Sequence, residues 1–139
     1  KDIIDRYFQK FSGVKDYMFE IVEVAKKQGY VETIFGRRRY LPELKSKSGM
    51  QRKFGERAAI NAPLQGSASD IVKKAMIDLF GKTKGDMLLQ VHDELIFETP
   101  KEHVDSDCQM IKKKMEDVVQ LKIPLIVETG IGNNWDEAH

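Results

Sequence analysis

Residues 56–80, ERAAINAPLQGSASDIVKKAMIDLF, place Ile60, Leu64, Ala68, Ile71, Val72, Ala75, Met76 and Leu79 at helical spacing. A helix of 25 residues is about 37 Å long, more than the width of a small domain, so the rest of the chain has to pack along it. Pro63 falls inside the pattern. It has no N–H for the turn behind it, which predicts a kink or a fresh start there. The interval 81–86, GKTKGD, reads as the turn that ends this helix.

Shorter patterns surround it. Ile3, Ile4, Tyr7, Phe8 and Phe11 predict a helix over 1–11, and Val14, Tyr17, Met18, Ile21, Val22 and Ala25 predict another over 14–28, ended by Gly29. YVETIF and RRRYLP flank Gly36 as a short β-hairpin, and 43–53 reads as a basic loop. Residues 87–98 predict two strands. Thr99, Pro100 and Glu102 predict a capping box opening a helix that carries Val104, Cys108, Ile111, Met115 and Val118. LIVET at 125–129 predicts a last strand, followed by an irregular tail. The sum is an α+β domain, antiparallel strand pairs with helices segregated to one side, with no internal repeat.

Composition narrows the function. One cysteine, Cys108, excludes an internal disulfide framework and a cysteine-based zinc site, and suits a reducing compartment. No apolar run reaches the length of a membrane span, and the N-terminus has no signal-peptide pattern. Without an initiator Met, the chain reads as a piece of a longer one. The net charge of +1 hides an asymmetry. Residues 1–57 hold 14 Lys/Arg against 8 Asp/Glu, and 58–139 hold 9 against 14. Most of the basic excess lies in 36–57, which is either a solvated loop or a strip for phosphates.

Three constellations carry chemistry. In QVHDE, residues 90–94, a His and two acids interrupt two apolar strands. The implied two-residue turn, His92-Asp93, has no glycine where positive φ is normally needed. It is either a polar surface tip or a site. Asp93 and Glu94 offer hard oxygen ligands suited to Mg²⁺. Asp86 and Glu98 are the nearest further acids but lie toward the open end of the hairpin, so a metal site here takes its second half from outside this chain. Three histidines, His92, His103 and His139, are too few and too scattered for a multi-histidine centre. A Ser-His-Asp triad lacks its nucleophile elbow.

Arg57, Asn61 and Gln65 lie at i, i+4 and i+8, one polar stripe of hydrogen-bond donors. Every base pair presents purine N3 and pyrimidine O2 acceptors in the minor groove, so such a row can test duplex shape without reading sequence. The plainer alternative is a solvent-facing stripe. Arg37, Arg38 and Arg39 follow the Gly36 turn. On a strand Arg37 and Arg39 share one face, as nucleic-acid contacts or as ordinary surface charge.

Four segments together resemble family-A DNA polymerases, the DNA polymerase I family: GYVETIFGRRRYLPEL (29–44), ERAAINAPLQGSASDIVKKAM (56–76), LLQVHDELIFETP (88–100) and PLIVETGIGNNWDEAH (124–139). They stand in the family's order and cover nearly the whole chain. The resemblance implies a C-terminal part of a right-hand polymerase domain over 1–139, with 1–28 the helical fingers-to-palm segment and 29–139 palm with an antiparallel sheet. It implies nucleotidyl transfer from a dNTP to a primer 3′-hydroxyl on primer–template DNA with two Mg²⁺ ions. Asp93 would be the second metal-binding palm aspartate, with Glu94 as the adjacent supporting acid and His92 near the primer terminus. Arg57, Asn61 and Gln65 would probe the minor groove, and Arg39 and Arg37 would meet the DNA backbone.

The link FGKTKGD is shorter than is common in the family, which reads as a trimmed surface turn. The family's first catalytic aspartate and its nucleotide-gripping fingers helix would precede residue 1. The expectation is therefore a polymerase segment inactive alone, set against a non-catalytic duplex-binding module and a functionally silent fragment. A missing neighbour strand would expose a sheet edge and an apolar face, which predicts a dimer or altered packing of 1–28. The resemblance also implies an intracellular protein with no membrane partner, bacterial first, with phage or organelle as alternatives.

Overall fold

The computed structural model describes residues 2–139. They form two compact units, one running through Ser67 and one from Ala68 to His139. The charge asymmetry follows this division, because residues 58–67 carry no charged side chain.

The first unit opens with α1 (Asp2–Lys10) and α2 (Ser12–Gln28). Gly29 ends α2 at φ 86, and its N–H donates to the Ala25 carbonyl. The predicted break falls at Phe11, one residue before Ser12-Gly13, because Phe11 adopts a non-helical conformation. A hairpin follows, β1 (Tyr30–Glu32) paired antiparallel with β2 (Arg38–Tyr40), with Gly36 at φ 80 in the connection. A short 3-10 turn, Pro42–Lys45, leads to α3 (Gly49–Leu79).

This long helix departs from expectation in three ways. It starts at Gly49, not at residue 56, so the last five residues of the expected basic loop, 49–53, belong to the helix. Its entry is fixed by polar contacts: the Ser46 hydroxyl accepts from the Ser48 N–H at 3.1 Å, and Arg52 Nη1 donates to the carbonyls of Ser46 and Lys47 at 2.8 and 3.0 Å. It also runs through Pro63 without the fresh start that was one of the two expectations there, as one element of 31 residues. Pro63 offers no N–H to the Ala59 carbonyl one turn earlier, and at the next residue Tyr17 Oη donates to the Ile60 carbonyl at 3.0 Å. Partial burial raises the Tyr17 hydroxyl pKa above its ordinary value. Finally, the buried face near its start is made of small residues. Gly55 and Ala59 are buried, and Ala58, Ile60 and Ala62 pack against a core of Val22, Ala25, Val31, Leu41 and Leu44. Leu64, expected inside, is 59% exposed. Small side chains let the hairpin and α2 approach the helix axis closely. The apolar face of α1 stays uncovered, with Ile3 81% exposed.

The second unit contains Ala68–Leu79 of α3, a hairpin of β3 (Asp86–Val91) and β4 (Glu94–Glu98), and α4 (Val104–Glu116) after a 3-10 turn at Lys101–His103. The hairpin register shifts between Met87 and Leu89, a bulge within β3. Ala75, Leu79 and Val118 are its buried apolar residues. Asp107 of α4 is buried, and its Oδ2 accepts from the N–H groups of Lys84 and Gly85 at 3.0 and 3.1 Å. That carboxylate fixes the turn that leads into β3.

Two local expectations fail here. The 99–102 capping box is absent: no side chain caps either Lys101–His103 or α4. A side-chain cap forms instead in the tail, where the Asn134 side chain accepts from the Glu137 N–H, opening α5 (Trp135–Ala138). Glu137 in turn accepts from the Asn133 N–H and side chain, which holds its carboxyl below the ordinary range. Residues 125–129 are not a strand. No strand among the described residues pairs with them, and the Val127 N–H donates to Glu116 Oε1 at 3.1 Å instead. The two antiparallel sheets have two strands each, β1–β2 and β3–β4. No described helix is long and apolar enough to cross a membrane.

Replacing Asp107 with Ala strands two backbone donors. We expect a loss of about 1–3 kcal/mol of unfolding free energy, read as a lower denaturant midpoint at unchanged slope. An unaltered midpoint would show that the carboxylate does not hold the turn.

Candidate nucleic-acid interface

The register of the first hairpin decides which arginine faces where. Val31 pairs with Arg39, and Glu32 with Arg38. Directly opposed residues share a face of an antiparallel pair. Val31 is buried in the core, so Arg39 rises from the helix side of the hairpin. Arg38 lies on the outer face. Its Nε donates to Glu32 Oε1 at 2.7 Å, and its guanidinium sits 4.5 Å from the centre of the Tyr30 ring. The Glu32 carboxylate, ahead of Tyr40, raises the Arg38 pKa above its ordinary value.

On α3, Arg57, Asn61 and Gln65 are exposed and recur every four residues. With Arg39, Phe54, Ala58 and Ala62 they line one open cavity of about 280 Å³. Eight residues of helix span about 12 Å, or three to four base-pair steps at about 3.4 Å each. Among the described residues, the side chains of Arg39, Arg57, Asn61 and Gln65 have no hydrogen-bond or ion-pair partner. A row of free donors, two of them cationic, therefore faces one concavity. Arg37 borders an adjoining cavity of about 120 Å³, and its Nη2 donates to the Gly66 carbonyl at 3.1 Å.

The basic run of 36–57 is thus not one uniform strip. Arg38 and Arg52 make internal contacts, and Arg37 braces the hairpin, while Arg39 and Arg57 line the cavity. Sequence reasoning missed Phe54, because the helix was expected to start after it. It also missed Ala58 and Ala62, whose small side chains leave the floor open. Their repeat at i and i+4, between the donor positions, was the available signal.

The second hairpin carries the acids. Val91 pairs with Glu94, which leaves His92 and Asp93 as the turn. His92 has φ 53, the one non-glycine residue with positive φ among those described. A two-residue hairpin turn ordinarily gives a position of positive φ to glycine. The Gln90 side chain donates to the His92 carbonyl and braces the turn. Asp93 is exposed, and Glu94 Oε1 lies 3.2 Å from His139 Nδ1. Asp93 and Glu94 are donors of the kind Mg²⁺ takes, but no group of three or more His, Cys, Asp or Glu among the described residues is arranged to hold a metal ion. Alone, these residues do not make a complete divalent-cation site. Asp86 and Glu98 pair with each other at the far end of the hairpin and add nothing at the tip.

The family model for DNA polymerase family A matches residues 1–137. The chain belongs to that family. Among relatives, it is 49% identical to DNA polymerase I of Bacillus caldotenax, over 99% of this chain and 16% of that protein. It is 50% identical to DNA polymerase I of Pseudomonas aeruginosa, over 98% and 15%. With the thermostable DNA polymerase I of Thermus aquaticus the identity is 46%, over 95% and 16%. The chain thus spans about a sixth of these relatives' length. Its structure superposes with a TM-score of 0.93 and 44% identity on the POL domain of Pol1 from M. smegmatis, solved in complex with DNA primer-template and dNTP. That match covers 97% of this chain and 25% of the other.

For this family-A chain, the strained turn gives a direct expectation. A non-glycine residue in the left-handed region costs about 1–2 kcal/mol. His92→Gly removes that strain while adding unfolded-chain entropy, so unfolding free energy should stay level or rise by up to about 1 kcal/mol. A marked fall in thermal or denaturant stability would mean that the imidazole itself stabilises the turn.

Proposed function

We propose that this chain is the duplex-gripping portion of a template-directed DNA polymerase and contributes part of its catalytic centre. The observation that carries the reading is the set of partnerless donors, Arg39, Arg57, Asn61 and Gln65, around one cavity. Neutral donors on a rigid helix suit the acceptors common to all base pairs in the minor groove. Arg57 adds a cationic donor to the same row, and Arg39 at its rim suits the phosphates. Arg37 contributes to the same surface mainly by bracing the hairpin. The bound partner is primer–template DNA, inside the cell that replicates or repairs it.

Asp93, at the tip of the second hairpin, supplies one carboxylate to a two-Mg²⁺ centre completed by residues outside this chain. Glu94 supports it, and His92 faces the primer terminus. Asp93 would help hold such ions, which would supply charge stabilisation to an in-line displacement when bound. The chain's own residues hold the duplex in register and present Asp93 on a turn fixed by two strands. The incoming dNTP is gripped elsewhere. One observation favours a second reading, a duplex-binding module without catalysis: the metal-ligand set in this chain is incomplete.

Two measurements test these readings. Titrating this chain with a mixed-sequence DNA duplex at several salt concentrations should show a linear log–log salt dependence. Arg39→Ala should lower that slope by about one. Gln65→Ala should weaken binding at unchanged slope, because it removes no charge. Equal effects of both on the slope would contradict the division between phosphate and groove contacts. In the full polymerase carrying this segment, Asp93→Ala should abolish primer extension and leave duplex affinity within about twofold, since carboxylates contribute no phosphate contact. Persistent extension would remove Asp93 from the catalytic centre and favour the module.

A further inference from the structure

The Gly36 connection touches α3 at one point, and the contact is unusually close. Thr33 and Arg37 flank the turn. The Thr33 N–H donates to the Arg37 carbonyl at 2.9 Å, the Gly36 N–H to the Thr33 carbonyl at 2.9 Å, and the Arg37 N–H to Thr33 Oγ1 at 3.1 Å. The Thr33 side chain is therefore fixed in rotamer. The turn is tied to the helix by Arg37 Nη2 on the Gly66 carbonyl at 3.1 Å and by the Ile34 N–H on Ser67 Oγ at 3.0 Å. A Cβ on Gly66 would lie 2.7 Å from Thr33 Cγ2 and 3.3 Å from Arg37 Nη2. The arginine end can yield. The threonine methyl cannot rotate away without losing the bond from the Arg37 N–H.

We propose that Gly66 is the positioning residue of the duplex-binding surface. Its missing side chain lets the β1–β2 hairpin seat on α3 at the depth that brings Arg39 beside Gln65. This rests on the duplex-binding reading above, and it gives a reason for glycine inside a helix where alanine is the better helix former. The neighbouring residues agree. Gln65 and Gly66 both line the hairpin cavity, together with Arg37, Arg38 and Arg39. Moving the hairpin outward separates the cationic contact from the neutral donors without changing any of them.

The test is a cycle of three variants, Gly66→Ala, Thr33→Ser and both together. Serine keeps the hydroxyl that accepts from the Arg37 N–H and removes the methyl that would clash. Gly66→Ala should weaken duplex binding about tenfold, as for the loss of one or two good contacts, and should raise the exchange rate of the Ile34 amide. The better helix propensity of alanine offsets part of the lost contacts, so the loss of affinity should exceed any fall in thermal stability. Thr33→Ser alone should bind as wild type, and the double variant should recover both affinity and Ile34 protection. If Gly66→Ala binds DNA as wild type with the Ile34 amide still protected, or if the double variant fails to recover, the proposal is overturned. Failure of the wild-type chain to bind duplex at low salt would overturn the duplex-binding reading, and with it Gly66 as a positioning residue for that surface. Ile34 exchange would then still report whether Gly66 seats the hairpin.

Discussion

The close approach of the β1–β2 hairpin to α3 is the constraint on which the first unit depends. Val31 is buried because Ala58, Ala59 and Ala62 leave room beside the helix axis. Apolar burial of this kind is non-directional, so it does not by itself fix how the hairpin slides along the helix. The polar ties do that: Arg37 to Gly66, and Ile34 to Ser67. Once the hairpin is seated, the pairing of Val31 with Arg39 places one cation at the rim of the donor row and turns Arg38 outward onto Glu32 and Tyr30.

The second unit solves a different problem, holding polar groups at the tip of an apolar hairpin. It does so with backbone strain at His92 and with a brace from Gln90. Strain of this kind persists only where the surroundings over-determine the conformation. Here the two strands flank it and a buried carboxylate, Asp107, anchors the turn that leads into the first of them. Asp93 and Glu94 are then presented from a fixed turn, although their number falls short of a complete ion site.

How much of this was legible in the sequence differs by element. The Gly29 stop and the Gly36 hairpin were readable because each rests on a local backbone rule, and the His92-Asp93 turn, which breaks that rule, was readable from the two strand patterns beside it. The α+β class and the donor row on α3 were readable from periodicity. The start of α3 was not, because Met50–Lys53 carry no apolar stripe, and their helix is set by Ser46, Ser48 and Arg52. The buried face of α3 was misjudged for a related reason: the search was for large apolar residues, and the contact uses small ones. The strand expected at 125–129 has the right composition but no partner strand, and pairing is not a local property. The Thr99 box failed while Asn134 caps the tail helix, since short capping motifs are alike and tertiary context decides between them. For the site, the residue types were legible; which arginine faces the helix depended on cross-strand register.

The central claim is that this chain grips DNA through acceptors common to every base pair. It is tested most directly by comparing two duplexes of one sequence, one of them with its purines replaced by 3-deaza counterparts. That change removes the N3 acceptors from the minor groove and leaves the phosphates in place. Binding of this chain to the 3-deaza duplex should be about fivefold weaker or more, the loss of at least one net hydrogen bond, with the same salt slope. Equal affinity for the two duplexes would contradict the account.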